Sequence, residues 1–137
     1  MDKYLYSLEM KVRDYECDLQ GIVNNANYQH FYEHTRHEFL QSHGISFAQW
    51  HADGIDFVVA RLKMAFKAPL HSGERFMSVL NMNQEGVKYV FNQKIFRLPD
   101  MQLCNEAYFV TVILDHGRLG RNAFFDDFVQ QVNASQK

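Results

Sequence analysis

Apolar positions along this chain change period, and the changes divide it into strands and helices. Over residues 4–14 every second side chain is apolar (Tyr4, Tyr6, Leu8, Met10, Val12), with Ser7, Glu9, Lys11 and Arg13 between them, which predicts a strand with one wet face. The spacing then lengthens. Tyr28, Phe31, Tyr32, Thr35 and Phe39 repeat near 3.6 and predict a helix over about residues 25–42, opened by Asn24 or Asn25 and closed by Gly44. His30, Glu33, His34, Arg36, His37, Glu38 and Gln41 fall on its polar flank, the pattern of a solvated or subunit-facing side. Residues 45–52, with Phe47 and Trp50, read as a short helical or irregular connector able to line an apolar pocket.

Alternation resumes over residues 56–69. Val58, Ala60, Leu62, Met64, Phe66 and Ala68 are expected to face the helix, and Phe57, Val59, Arg61, Lys63 and Lys67 to face away. Pro69 ends that strand and residues 71–74 supply turn chemistry. Further strands are expected over residues 75–84, 87–98 and 103–115, separated by turns at Glu85-Gly86 and Pro99-Asp100. The last strand is apolar on both faces, so one face must find cover beyond the helix, and self-association is expected. Asn122 caps a final helix carrying Phe124, Phe125, Phe128, Val129 and Val132. The sum is an α+β chain: an antiparallel sheet of about five strands and one long helix.

Bulk properties narrow the function. A length of 137 residues with no linker or repeat implies one domain spanning residues 1–137. Fourteen basic against 16 acidic residues, a formal charge of −2, give no drive toward nucleic acid or anionic lipid. No apolar run approaches membrane-spanning length and the charged first residues lack a signal-peptide core, so a soluble cytoplasmic protein is expected. The two cysteines, Cys17 and Cys104, are far apart and are expected to be reduced. There is no Walker pattern, no glycine-rich dinucleotide fingerprint and no Gly-x-Ser-x-Gly elbow, so no cofactor is expected.

The candidate chemistry lies where the first strand meets the helix. Asp18 and Gly21 precede the helix start, whose first N–H groups lack intrahelical partners and lie at the positive end of the helix dipole. A carboxylate beside such donors can act on a polarised carbonyl as nucleophile or as general base for water. Cys17 is a weaker nucleophile candidate because Glu16 and Asp18 flank it and should raise its thiol pKa. His30, His34 and His37 have helical spacing that could ligate zinc, but they sit among charged flank residues and no metal site is assigned. Arg61, Lys63, Lys67, Arg97 and Arg118 form a pool of cations for substrate phosphates, with Arg61 and Lys63 placed first and Tyr28 assigned to the substrate pocket.

The run Asp18-Leu19-Gln20-Gly21-Ile22-Val23-Asn24-Asn25-Ala26-Asn27-Tyr28, followed by Phe31, Glu33, Arg36 and Phe39-Leu40, resembles the signature of the 4-hydroxybenzoyl-CoA thioesterase-like hotdog family. The resemblance extends loosely over nearly the whole chain, including the turn from Pro69 to Glu74. It implies a sheet wrapped around one long helix, a homo-oligomer (dimer or tetramer) with sites at a subunit interface, and an acyl-CoA or acyl-carrier-protein thioester as substrate. By that resemblance Asp18 is the catalytic carboxylate, the Asn25 N–H the carbonyl-polarising donor, and Gly21 the glycine of the turn. Gln20 and Ile22 depart from the Asp-Asn-His pattern of plant acyl-carrier-protein thioesterases, and Val23 stands where hotdog hydratases carry a histidine. Glu33 is the competing carboxylate, since other hotdog thioesterases place theirs on the central helix. The alternative from another class is a non-catalytic acyl-CoA or acyl-carrier-protein binding module in the same groove.

Overall fold

The computed structural model describes residues 3–135. Strand β1 (Tyr6–Lys11) leads through a single 3₁₀ turn (Asp14–Glu16) into α1 (Asn25–Ser42) and the short α2 (Phe47–Ala52). Four long strands follow, β2 (Ile55–Phe66), β3 (Arg75–Glu85), β4 (Lys88–Arg97) and β5 (Gln102–Asp115), then a three-residue β6 (Arg118–Gly120) and α3 (Ala123–Ser135). All pairings are antiparallel, in the order β1-β3-β4-β5-β2, with β6 added to β5. This is the α+β architecture expected, and the strands fall close to the predicted spans. The 3₁₀ turn and β6 are too short to leave a period in the sequence.

The sheet curls around α1, whose Tyr28, Phe31, Tyr32, Thr35, Phe39 and Leu40 are buried. Strand register defines the face that receives it: Asn105, Ala107, Phe109 and Thr111 of β5 lie opposite Ile95, Gln93, Phe91 and Tyr89 of β4, and Ile113 lies opposite Phe57 of β2. Tyr32 meets Phe109 edge-on at 5.5 Å, and Phe31 meets Phe76 of β3 at 4.8 Å. α2 and α3 close one end of the same face through Trp50 on Phe57 and Phe125 on Tyr89.

Both ends of α1 are built as its sequence requires. Asn24, extended at φ −64° and ψ 140°, accepts the Ala26 N–H on its side chain. At the other end Gly44 takes φ 80°, its N–H reaches Gln41 O, and the Ile45 N–H reaches Leu40 O, a Schellman closure with Ile45 buried behind it. Asn122 caps α3, accepting the Phe125 N–H at 2.9 Å.

Strand β2 departs from expectation. Its register slips between Val59 and Arg61, so Ala60 is an extra residue and the alternation inverts there. Phe57 and Val59 oppose Ile113 and Thr111, and Leu62, Met64 and Phe66 oppose Phe109, Ala107 and Asn105, so all five share the helix side. Val58 moves to the outer side with Arg61 and Lys63. Among the described residues no helix is long and apolar enough to cross a membrane.

Candidate active site

The segment between β1 and α1 folds back on itself. The Asp18 N–H donates to Ile22 O, the Gly21 N–H donates to Asp18 O, and Cys17 pairs with Val23 as an isolated bridge. Gly21 closes this turn at φ 79°, a left-handed conformation that an L side chain adopts only with strain. The Asp18 carboxylate is exposed and accepts the Gln20 N–H through Oδ1 at 2.8 Å, leaving its other oxygen free of protein partners among the described residues.

Two anchors fix this turn against the helix. Val23 is buried and its N–H donates to Leu70 O, while Ile22 bridges His71 of the next turn. Glu16 is buried as well, and its carboxylate accepts the Arg13 N–H at 2.7 Å and Arg13 Nη2 at 2.8 Å. Its carbonyl accepts from both the Asn24 N–H and the Asn27 carboxamide.

These bonds account for the first N–H groups of α1 one by one. Asn24 donates to Glu16 O, Ala26 to the Asn24 side chain, and Asn27 to Asn24 O. The Asn25 N–H has no hydrogen-bond partner among the described residues. Asn25 lines a groove of about 210 Å³ together with Tyr28, Val23, Phe66 and Lys67. The residue at the positive end of this 18-residue helix thus carries a free N–H and lines a groove of mainly apolar walls. Tyr28 is buried against Phe66 at 5.7 Å, and burial pushes its phenol up to about 12, so its ring is a neutral wall at ordinary pH.

Of the residues named from sequence, Asn25 and Tyr28 line this groove, while Asp18 and Gly21 lie in the turn that precedes it and are not among its lining residues. Arg61 and Lys63 are not with them. They lie on the outer face of the sheet beside Lys88 and Tyr108, because the Ala60 bulge fixes that orientation. Lys67, beyond the end of β2, is the cation that lines the groove, and it pairs with Glu106 at 3.7 Å. The Cys17 thiol is raised first by burial and then by Asp14, Asp18 and Glu16, so its neighbours only add to the leading cause. Among the described residues no three His, Cys, Asp or Glu side chains converge; His34 faces Glu38 and His37 stacks on Phe47. Glu33 lies further along α1, at two other cavities.

The match to the thioesterase-like superfamily covers residues 12–132, and the chain belongs to that family. It is 38% identical over 112 residues to the chloroplastic acyl-acyl carrier protein thioesterase ATL3 of Arabidopsis thaliana, a match covering 81% of this chain and 59% of that protein. The chain thus spans about three-fifths of the length of that relative. It is 30% identical over 120 residues to the acyl-CoA thioester hydrolase YbgC of Escherichia coli, covering 84% of this chain and 86% of YbgC. Its fold matches Slr0204, a 1,4-dihydroxy-2-naphthoyl-CoA thioesterase from Synechocystis, with a TM-score of 0.87 over 93% of this chain and 97% of that one, at 16% identity. The hotdog architecture is common to both.

Proposed function

We propose that this chain is an acyl thioesterase that cleaves an acyl-CoA or acyl-carrier-protein thioester, with Asp18 and the Asn25 N–H as its reacting groups. The observation that carries this reading is the unpartnered N–H of Asn25, a groove-lining residue at the start of α1 that follows the turn presenting Asp18. The thioester oxygen accepts from that N–H, so charge developing on it meets a donor already in place. Asp18 then either attacks the carbonyl carbon to form a mixed anhydride, expelling the thiolate, or draws a proton from the water that attacks instead. Hydrolysis gives the free acid and the thiol by either route.

Tyr28 and Phe66 supply apolar walls for the acyl group, and Lys67 takes the phosphate-contacting role in place of Arg61 and Lys63. Gly21 lets the turn hold Asp18 without strain.

We infer an assembly as part of the same reading. β2 is an edge strand of 12 residues with Val58, Val59, Leu62 and Phe66 between 36% and 53% exposed, and an apolar edge of that length calls for a strand partner. A second copy pairing along β2 is the partner we infer.

Thiol release from a panel of short, long and aromatic acyl-CoA esters, with the matching carrier-protein esters, tests the proposal. Asp18→Asn should lose about 10²–10⁴-fold in turnover while melting like the wild type. A loss of under tenfold would shift the chemistry to Glu33, and saturable binding without turnover would make this a binding module.

A further inference from the structure

The surface cations of this protein divide by whether a carboxylate holds them. Arg13, Lys67, Arg75, Arg97 and Arg121 each form an ion pair. Arg61, Lys63, Lys88 and Lys94 form none among the described residues, and strand register gathers these four on the outer face of the sheet, the side turned away from α1. Arg61 stands in a row with Val110 and Val90, Lys63 with Tyr108 and Asn92, Lys94 with Glu106, and Lys88 with Val112. The first two rows hold no acid. At the margins Glu106 is taken by Lys67 at 3.7 Å, and Glu85 lies opposite Lys88 without closing an ion pair. Arg61, Lys63 and Lys88 line a hollow of about 590 Å³ in this face, and a second, of about 270 Å³, shares Lys63 and Tyr108 with it and extends to Lys94.

Cations of like sign on one face repel one another, and in a chain whose formal charge is −2 they make a local positive field. An anionic partner relieves that repulsion, and the dimensions of the patch decide which kind. Lys88 and Lys94 are six residues apart on β4, about 20 Å, and Arg61 and Lys63 lie two strands away, about 10 Å. The phosphates of coenzyme A are grouped at one end of that molecule and cannot meet cations so widely spread. An acidic protein surface can, each cation facing its own carboxylate. Position along β2 agrees: Lys63 precedes Phe66, a wall of the groove at Asn25, by three residues, about 10 Å. A carrier seated on this face therefore stands close to the groove that the thioester on its flexible arm must enter.

We propose that the outer face of the sheet, at Arg61, Lys63, Lys88 and Lys94, docks the acidic surface of a carrier protein that presents the acyl thioester. The inference rests on the thioesterase reading above for its choice of partner, and it decides between the two carriers which that reading allows.

Two measurements with one discrete acyl carrier protein test it. Binding of its holo form is titrated at about 0.05 M and about 0.3 M salt, and kcat/KM is taken on its acyl esters beside the CoA esters of the same acyl groups, from short to long. The wild type should bind the holo carrier saturably, and about tenfold more weakly at the higher salt, because attraction between exposed charges is screened. Lys88→Gln/Lys94→Gln removes two charges and sets no new acid beside Glu85 and Glu106. It should weaken holo-carrier binding and raise KM on carrier esters by about 3–10-fold, with kcat unchanged and CoA esters within about twofold of wild type. Should the pair fail to fold, Lys88→Gln alone, at an exposed position, gives the same comparison. Absent or salt-independent binding in the wild type, or carrier kinetics unchanged in the variant, would overturn the inference. So would an equal loss on the CoA esters, which assigns these cations to CoA phosphates. No turnover of any ester, with holo-carrier binding still weakened in the variant, would remove the thioesterase reading and leave the docking face standing.

Discussion

The Asn27 carboxamide donates to the backbone carbonyl of Glu16 at 2.7 Å, tying the first turn of α1 to the segment that presents Asp18. Both reacting groups of the proposed mechanism therefore sit on one braced unit. The same carbonyl takes the Asn24 N–H, and the Glu16 side chain is held by Arg13, so the brace is continuous from the end of β1 to the helix.

Asn27→Ala removes one strut of that brace and nothing from the groove. Turnover should fall by about 10–100-fold, since small misplacements of reacting groups carry costs of that size. Stability should fall by about 1 kcal/mol, the usual worth of one hydrogen bond. Steady-state kinetics beside thermal melts check it; an unchanged kcat would mean that the brace does not position Asp18.

Tyr32 and Asn105 carry the buried polar contact between α1 and β5, the phenol donating to Oδ1 at 2.7 Å. Asn105 Nδ2 has no partner, so this one bond is what satisfies the side chain at all. Tyr32→Phe should cost about 1–3 kcal/mol, more than a surface hydroxyl would, because it strands both ends of a buried amide. Denaturant unfolding measures it, and a loss below about 0.5 kcal/mol would show that the amide finds another partner.

His37 sets a pH dependence. Burial holds its imidazole below the ordinary value, with Arg36 and His34 adding in the same direction against Glu33 and Glu38. The unfolded chain takes up a proton near pH 6.5 that the folded chain still refuses, so this contribution is complete above about pH 6.5 and is lost as pH falls through the lower folded value. Melting temperature should therefore drop between about pH 7.5 and about pH 5.5, and drop less in His37→Gln. Parallel pH profiles in the two proteins would exclude His37 as the cause.

Much of this was legible in the chain's periodicity. α1 lies at the predicted residues because Asn24, the Tyr28-to-Phe39 stripe and Gly44 each signal locally what they do in the fold. The turn at Asp18 and Gly21 and the helix start at Asn25 were legible because the two are contiguous in sequence. The bulge at Ala60 was not, since it is a mismatch between β2 and β5 and leaves the alternation of β2 read alone apparently unbroken. That mismatch is why Phe57 and Val59 turn inward and why Arg61 and Lys63 end on the far face. Arg36 was hidden for a related reason: a cation on a helix flank looks solvated until Phe109, Phe91 and Gln93 arrive from strands more than fifty residues away. Glu16 was passed over in the same way, as one acid among several in an acidic loop.

The free N–H of Asn25 is the centre of the proposed mechanism, and it can be deleted without disturbing the helix. Asn25 is the first helical position, where proline is well tolerated, and Asn24 already has the extended conformation that a residue before proline requires. Thiol release by Asn25→Pro, beside Asn25→Ala as the control that keeps the N–H, is the most direct measurement. The account expects Asn25→Pro to melt like the wild type and to lose about 10²–10³-fold in kcat, with Asn25→Ala close to wild type. An Asn25→Pro enzyme that turns over within tenfold of the wild type would contradict it.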